Sequence, residues 1–331
     1  MTESYKALVG VRDESGYRVE FQQLSSEQIG DGDVEVAVEY STVNYKDGLA
    51  MSDAIPIVQK PSLILGIDMA GTVVKSDCSR FKVGDKVLMN GYGASETHNG
   101  GYTQRLRISS DYLLKVPSAF TTRHAMLLGT AGYTAMLSLL RLEQLGITPD
   151  SGEVLVTGAS GGVGSVSIML LAGLGYTVAA STGRLEESDY LKSLGANTVI
   201  DRRELSEPGE MMQATRWAAA VDSCGSHTLA NVLAQLHYNG AVAACGLAQG
   251  LDLPGNMMPF ALRNVALLGV DSVHAPMALR EQAWQRLAES VDLAKLEAMA
   301  VEIDFDKLPE AAGQILQGQI RGRAVVNIAA S

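Results

Sequence analysis

The chain has 331 residues, 47% of them hydrophobic and 19% charged, a globular composition that leaves no case for intrinsic disorder. That length exceeds one ordinary core and predicts two domains. A formal net charge of −11 argues against nonspecific nucleic-acid binding, but allows anionic small ligands wherever arginines gather. No stretch approaches the roughly 20 uninterrupted apolar residues of a membrane helix. The opening residues Met1-Thr2-Glu3-Ser4-Tyr5-Lys6 lack the basic-then-apolar order of a secretory signal. Cys78, Cys224 and Cys245 are scattered and odd in number, which fits a reducing cytoplasm better than a disulfide framework.

In chain order, the first third reads as strands and turns. Residues 34–40 alternate as a half-buried strand, with further strands at 67–75 and 87–89, punctuated by Gly84-Asp85 and Gly91-Tyr92-Gly93. A helical pattern starts behind Thr121, a plausible N-cap, and runs through residue 142. From Glu153 the rhythm becomes strand–helix alternation, with strands expected at 154–157, 177–181, 198–200, 219–222, 241–245 and 265–270. Right-handed crossovers between them predict a complete doubly wound parallel sheet. Helices near 279–290 and 309–316 and a last strand at 324–328 are extra to that sheet, so the chain is expected to return to its first domain. The resulting division is a β-rich domain at 1–125, a dinucleotide domain at 126–275 and a C-terminal return at 276–331.

Residues 154–164 read Val-Leu-Val-Thr-Gly-Ala-Ser-Gly-Gly-Val-Gly, an apolar strand running into a glycine turn and then a helix. Glycine lets backbone approach a pyrophosphate, and the helix N-terminus offers unpaired N–H groups and a favourable dipole. Ser160, Gly161, Gly162 and Val163 are expected to line the phosphates. At the end of the second strand, where an NAD site carries an acid, the chain has Ser181-Thr182-Gly183-Arg184. Hydroxyls and a guanidinium there favour a 2′-phosphate and hence NADPH; the alternative for Arg184 is a solvated helix-start residue. Leu247 and Ser272 follow the fifth and sixth strands, at carboxyl strand ends where such sheets place ligands. Phe260 and Leu262 are candidates to wall the pocket.

Several strings carry a resemblance over essentially the whole chain: Asn44-Tyr45-Lys46-Asp47, Leu65-Gly66-Ile67-Asp68-Met69-Ala70-Gly71, Phe81-Lys82-Val83-Gly84-Asp85-Lys86-Val87 and Gly129-Thr130-Ala131-Gly132-Tyr133-Thr134-Ala135. With Ala243-Ala244-Cys245-Gly246-Leu247-Ala248 and Gly269-Val270-Asp271-Ser272-Val273, they resemble the medium-chain dehydrogenase/reductase superfamily. Within it the likeness is to the zinc-independent quinone-oxidoreductase branch and its NADPH-dependent acrylyl-CoA reductases. The resemblance implies an α/β protein, a GroES-like β-rich catalytic domain joined to a Rossmann doubly wound sheet. It implies homodimerisation through the sixth strand. It also implies that Arg202 joins the phosphate from the adenine side, that Thr130 faces the nicotinamide, and that Asn327 and Arg323 are C-terminal cofactor contacts, with the coenzyme A phosphates as the other destination for Arg323.

No metal is expected. Tyr45 and Lys46 fall where a zinc-dependent relative has its first thiolate, Ile67 stands in the ligand position of Gly-His-Glu, and no C-x-x-C occurs. Hydride addition to an enoyl thioester then needs hydrogen-bond donors at the thioester oxygen and a proton for the α-carbon. Tyr45 is the candidate to position substrate, contact the cofactor or donate that proton, with water as its rival because tyrosine's reference pKa is about 10. The other reading of Tyr45 is a half-buried aromatic whose hydroxyl makes a structural bond. Asn44 is the candidate to orient the ribose or the substrate carbonyl. Asp47 and Asp68 are taken as structural supports, Cys245 as a small core residue, and His98 as an exposed loop histidine beside the mobile pair Gly100-Gly101. The expected reaction is NADPH-dependent reduction of acrylyl-CoA to propionyl-CoA. Quinone reduction and cofactor binding without catalysis are the alternatives, the small-molecule partner being a short enoyl-CoA in the first case.

Overall fold

Residues 3–330 are described in the computed structural model of the chain. Strands β1 (Ser4–Asp13) and β2 (Gly16–Ser25) form an antiparallel hairpin, paired from Ser4↔Ser25 to Asp13↔Gly16. Ala7, Leu8, Val9 and Gly10 are buried in succession, so β1 lacks the alternation that marks a one-sided strand. Then come β3 (Val34–Thr42), α1 (Tyr45–Ser52), β4 (Ser62–Ile64), β5 (Asp68–Ser76), β6 (Lys86–Asn90), β7 (Arg105–Ile108) and β8 (Leu114–Lys115). Helix α2 (Thr122–Gln144) starts where the Thr121 hydroxyl accepts from His124 N at 3.1 Å, and breaks at Gly129 (φ 50°, ψ −158°). By length and composition α2 could cross a membrane, yet it is kinked and its apolar residues, such as Leu128 and Met136, are buried in protein.

The strand–helix region yields β9 (Val154–Val156), α3 (Gly162–Gly173), β10 (Val178–Thr182), α4 (Ser188–Leu194), β11 (Thr198–Asp201), β12 (Trp217–Asp222), α5 (Ser226–Gln235), β13 (Leu236–Ala244), α6 (Met258–Arg263) and β14 (Ala266–Gly269). These six strands form one parallel sheet in the order β11-β10-β9-β12-β13-β14, the doubly wound arrangement expected from sequence. Apolar runs such as Val154-Leu155-Val156, all fully buried, suit strands covered on both faces. The chain ends with α7 (Met277–Ser290), α8 (Leu293–Ala298), β15 (Ala300–Ile303), α9 (Leu308–Leu316) and β16 (Arg323–Asn327). β16 pairs with β3 at Val325↔Thr42 and with β15 in parallel, which joins the C-terminal return to the GroES-like sheet.

Two compact units result. One comprises the chain through Thr130, then Ser272–Glu281 and the chain from Leu296. The other comprises Ala131–Asp271 and Gln282–Lys295. The expected boundaries at 125/126 and 275/276 therefore move, and Gln282–Lys295 belongs with the dinucleotide unit rather than the return. Two contacts within that unit account for the last shift: Arg286 pairs with Glu143 at 3.0 Å, and Lys295 Nζ donates to Leu194 O at 3.0 Å.

Candidate active site

In the dinucleotide unit, β9 ends at the glycine turn and α3 begins on Gly161. Gly158 has φ +58°, and a Cβ there would lie 2.4 Å from Ser223 Oγ. A Cβ on Gly164 would lie 2.4 Å from Gly158 O, so both glycines are demanded by protein packing. Gly161 differs, since its Cβ would meet only Gly158 O at 3.2 Å and otherwise point into open space. Gly161, Gly162 and Val163 are half-exposed, and the first-turn N–H groups of α3 have no intrahelical acceptor. This cradle fits a pyrophosphate. Beneath it, buried Asp222 accepts from Thr157 Oγ1 at 2.7 Å and Gly225 N at 2.8 Å, and burial pushes its pKa up. Burial likewise raises the Cys245 thiol to about 12, although Cys245 is half-buried at the end of β13 and not in the core.

Past β10 a cavity of about 380 Å³ is lined by Gly183, Leu185, Glu186, Asp201, Arg202 and Arg203. The Arg202 side chain lies across Gly183, its Nε 2.7 Å from where a Cβ would sit. The Asp201 carboxylate is taken by Arg203 at 2.5 Å and by Arg203 N at 2.9 Å, leaving the Arg202 side chain exposed with no hydrogen bond or ion pair among the described residues. Arg184 is half-buried, its guanidinium 3.4 Å from Ser160 O. The two hydroxyls expected to reach the phosphate behave otherwise. Ser181 and Thr182 are buried, and Thr182 Oγ1 lies 2.9 Å from Ser160 Oγ while accepting from Arg184 N at 3.0 Å. The Thr182 hydroxyl braces the turn, and Arg202 and Arg184 are the donors left for an anion.

In the GroES-like unit, Asn44 is the N-cap of α1 and Tyr45 its first residue. Tyr45 is 39% exposed and its hydroxyl makes no hydrogen bond among the described residues, which removes the structural-bond reading. Asn44 is buried; its Nδ2 donates to Asp68 Oδ2 at 2.7 Å and to Asp47 Oδ2 at 3.3 Å, and its side chain forms a capping box with Asp47. Asp68 also accepts from Asn90 Nδ2 at 2.5 Å and from Thr130 N and Oγ1 at 2.9 and 2.6 Å. Asp47 accepts from Asn44 N at 2.8 Å and Ile67 N at 3.0 Å. Burial, helped by the Asp68 charge, pushes its carboxyl up to about 7. Asn90 was not anticipated; nothing local in sequence marks a residue whose partner lies on the neighbouring strand. Among the described residues no group of three or more His, Cys, Asp or Glu is placed to hold a metal, and Ile67 is buried.

Other expected site residues lie elsewhere. Arg323 is buried, donating from Nε to Leu127 O at 2.7 Å and from Nη2 to Thr42 Oγ1 at 2.8 Å, so it braces β16 instead of meeting any phosphate. Asn327 Oδ1 accepts from Ala330 N at 3.2 Å and caps the C-terminal turn. Phe260 packs against the dinucleotide unit's core with Leu229, Val232 and Val265, whereas Leu262 and Leu247 are exposed. Ser272 falls in the GroES-like unit, its carbonyl held by Arg280 at 2.9 Å. His98 is no free loop residue. It stacks on Tyr112 at 5.0 Å, and its ring nitrogens lie 2.7 Å from Tyr92 O and 3.1 Å from Asn99 O. Fully buried Arg280 sits 3.7 Å from the Tyr92 ring centre and donates to Asn90 O at 2.5 Å, so this loop is anchored rather than free to act as a lid.

Residues 30–118 match the family described as alcohol dehydrogenase GroES-like domain, and residues 162–289 match zinc-binding dehydrogenase. The chain belongs to the medium-chain dehydrogenase/reductase superfamily of oxidoreductases. Within it, the chain is 47% identical to the acrylyl-CoA reductase AcuI of Ruegeria pomeroyi, over 98% of this chain and 99% of that one. It is 40% identical to the putative quinone oxidoreductase YhfP of Bacillus subtilis, over 99% and 100% of the two chains. The crystal structure of the yhdH oxidoreductase from Salmonella enterica in complex with NADP superposes with TM-score 0.94 at 45% identity, covering 97% of this chain and 99% of that one.

Proposed function

We propose that the protein is an NADPH-dependent acrylyl-CoA reductase. The observation that carries the cofactor choice is the arginine-lined cavity beyond β10, where Asp201 is neutralised by Arg203 and Arg202 is left to meet an anion. The likeness to the Ruegeria pomeroyi acrylyl-CoA reductase supports the substrate. Held at Gly161–Val163 and by Arg202 and Arg184, NADPH would supply the hydride for the β-carbon of the enoyl thioester. Negative charge then collects on the thioester oxygen, and a proton on the α-carbon completes propionyl-CoA. The protein's own contribution is to grip the pyrophosphate at Gly161–Val163, read the 2′-phosphate with Arg202 and Arg184, and present Asn44 and Tyr45 at the start of α1. The unpartnered Tyr45 hydroxyl serves as the positioning group or proton source.

A second reading, NADPH:quinone oxidoreductase, is favoured by the likeness to YhfP. The test is one panel of acrylyl-CoA, crotonyl-CoA and a simple quinone, each with NADPH and NADH. Fast NADPH-dependent formation of propionyl-CoA supports the first reading; quinone turnover at equal or higher kcat/KM overturns it. The chain is also proposed to be a cytoplasmic homodimer, on the support of its free cysteines and of β14 at the sheet edge with half-exposed Leu267 and Leu268.

A further inference from the structure

No acid stands at the end of β10 in the sequence, yet the fold brings one there from the neighbouring strand. β10 and β11 pair in parallel with Thr182 opposite Asp201, and both strands belong to the dinucleotide unit. Asp201 therefore ends its strand level with the stretch where an NAD site carries its acid. Its side chain is 20% exposed and lines the same cavity as Gly183 and Arg202. A bare carboxylate at that place has two effects on a dinucleotide. It accepts from a ribose 2′-hydroxyl, and it repels a 2′-phosphate.

Asp201 is not bare. Arg203 donates to its Oδ2 from Nε at 2.8 Å and from Nη2 at 2.5 Å, and the Arg203 backbone N–H donates to Oδ1 at 2.9 Å. One residue thus occupies both oxygens. The Arg203 bonds also hold the carboxyl below its usual pKa, so the charge is masked rather than removed. Arg203 itself is 82% exposed, and an ion pair so open to solvent contributes little to the fold. Its effect falls instead on the charge that enters the cavity. Glu186, the other acid lining that cavity, is exposed on the turn after β10. We propose that Arg203 is a positioning residue that sets coenzyme preference through Asp201. By holding both carboxylate oxygens it keeps the acid from serving a ribose 2′-hydroxyl and from repelling a 2′-phosphate. Discrimination between NADPH and NADH then depends on a side chain that need touch neither. The proposal rests on the NADPH reading above.

The experiment is a double-mutant cycle of Arg203→Ala and Asp201→Asn in the full chain, scored by equilibrium binding of NADPH and of NADH. Asp201 is the N-cap of the Arg202–Glu204 turn, and asparagine caps as well as aspartate, so Asp201→Asn removes the charge and keeps the turn. Arg203→Ala should cut the ratio of NADPH to NADH affinity roughly tenfold, by weakening NADPH while NADH binds as well or better. In the Asp201→Asn background the same substitution should change the ratio by less than about twofold. An equal fall in both backgrounds means that Arg203 binds the phosphate itself, and overturns the proposal. So does an unchanged ratio, including one in which both coenzymes weaken together, the mark of a merely structural side chain. Native protein that binds NADPH no tighter than NADH overturns the NADPH reading itself, a result seen before any variant is made and distinct from the others.

Discussion

Asp47 ties stability to pH with a definite sign. Its carboxyl is raised from 3.8 to about 7, chiefly by burial and secondly by the charge of Asp68. Between those values the folded protein holds a proton that the unfolded chain has released. Its contribution is therefore fully present below about pH 4 and is lost as pH rises through 7. Replacing it by Asn should abolish that slope. Urea denaturation of the native protein and Asp47→Asn at pH 5.5 and 8 should show stability differences that diverge by about 2 kcal/mol, the native protein gaining more in acid; parallel changes would show that Asp47 does not titrate there. Sequence reading takes Asp47 and Asp68 as structural supports; in the structure both accept from Asn44. Nothing near Asp68 in the chain announces Asn90 or Thr130 as its partners, 22 and 62 residues away.

At the scale of elements, the turn between β9 and α3 separates glycines needed by the protein from one with open space beside it, Gly161. Gly164→Ala would push a methyl against the Gly158 carbonyl and should cost about 1–3 kcal/mol in denaturation. Gly161→Ala meets only one protein atom at 3.2 Å, so it should fold with nearly native stability yet bind NADPH roughly tenfold more weakly. If Gly161→Ala bound NADPH normally, the phosphates would not lie over that turn. This motif was legible because strand, turn and helix are contiguous, and each residue's task is local. The start of α4 is not written locally: a separate 3-10 segment, Leu185–Glu187, precedes it beside the Arg202 cavity.

For the whole molecule, the six-stranded sheet leaves β14 at one end with no neighbour on its outer side among the described residues. Half-exposed Leu267 and Leu268 there make an edge that a second copy would cover. Sedimentation equilibrium should return about twice 35.1 kDa, and Leu268→Lys should shift the protein toward the monomer; a native monomer at micromolar concentration would remove the homodimer. The chain's division into units was only approximately legible. The exchange at Thr130 and the crossing of Gln282–Lys295 depend on which surfaces bury Trp284 and Leu287, and that is settled by packing at long range.

Sequence by itself determined the doubly wound sheet, the phosphate turn and the missing acid after β10, because a buried parallel strand or a glycine turn is written in neighbouring residues. Tertiary structure decided the fates of Arg323, which donates to Leu127 O across 196 residues, of Phe260, half-buried against the core, and of Asn44 beside two carboxylates. A side chain's residue type states which bonds it can make. Only the folded chain states which partners reach it first, and so which polar atoms remain for a ligand.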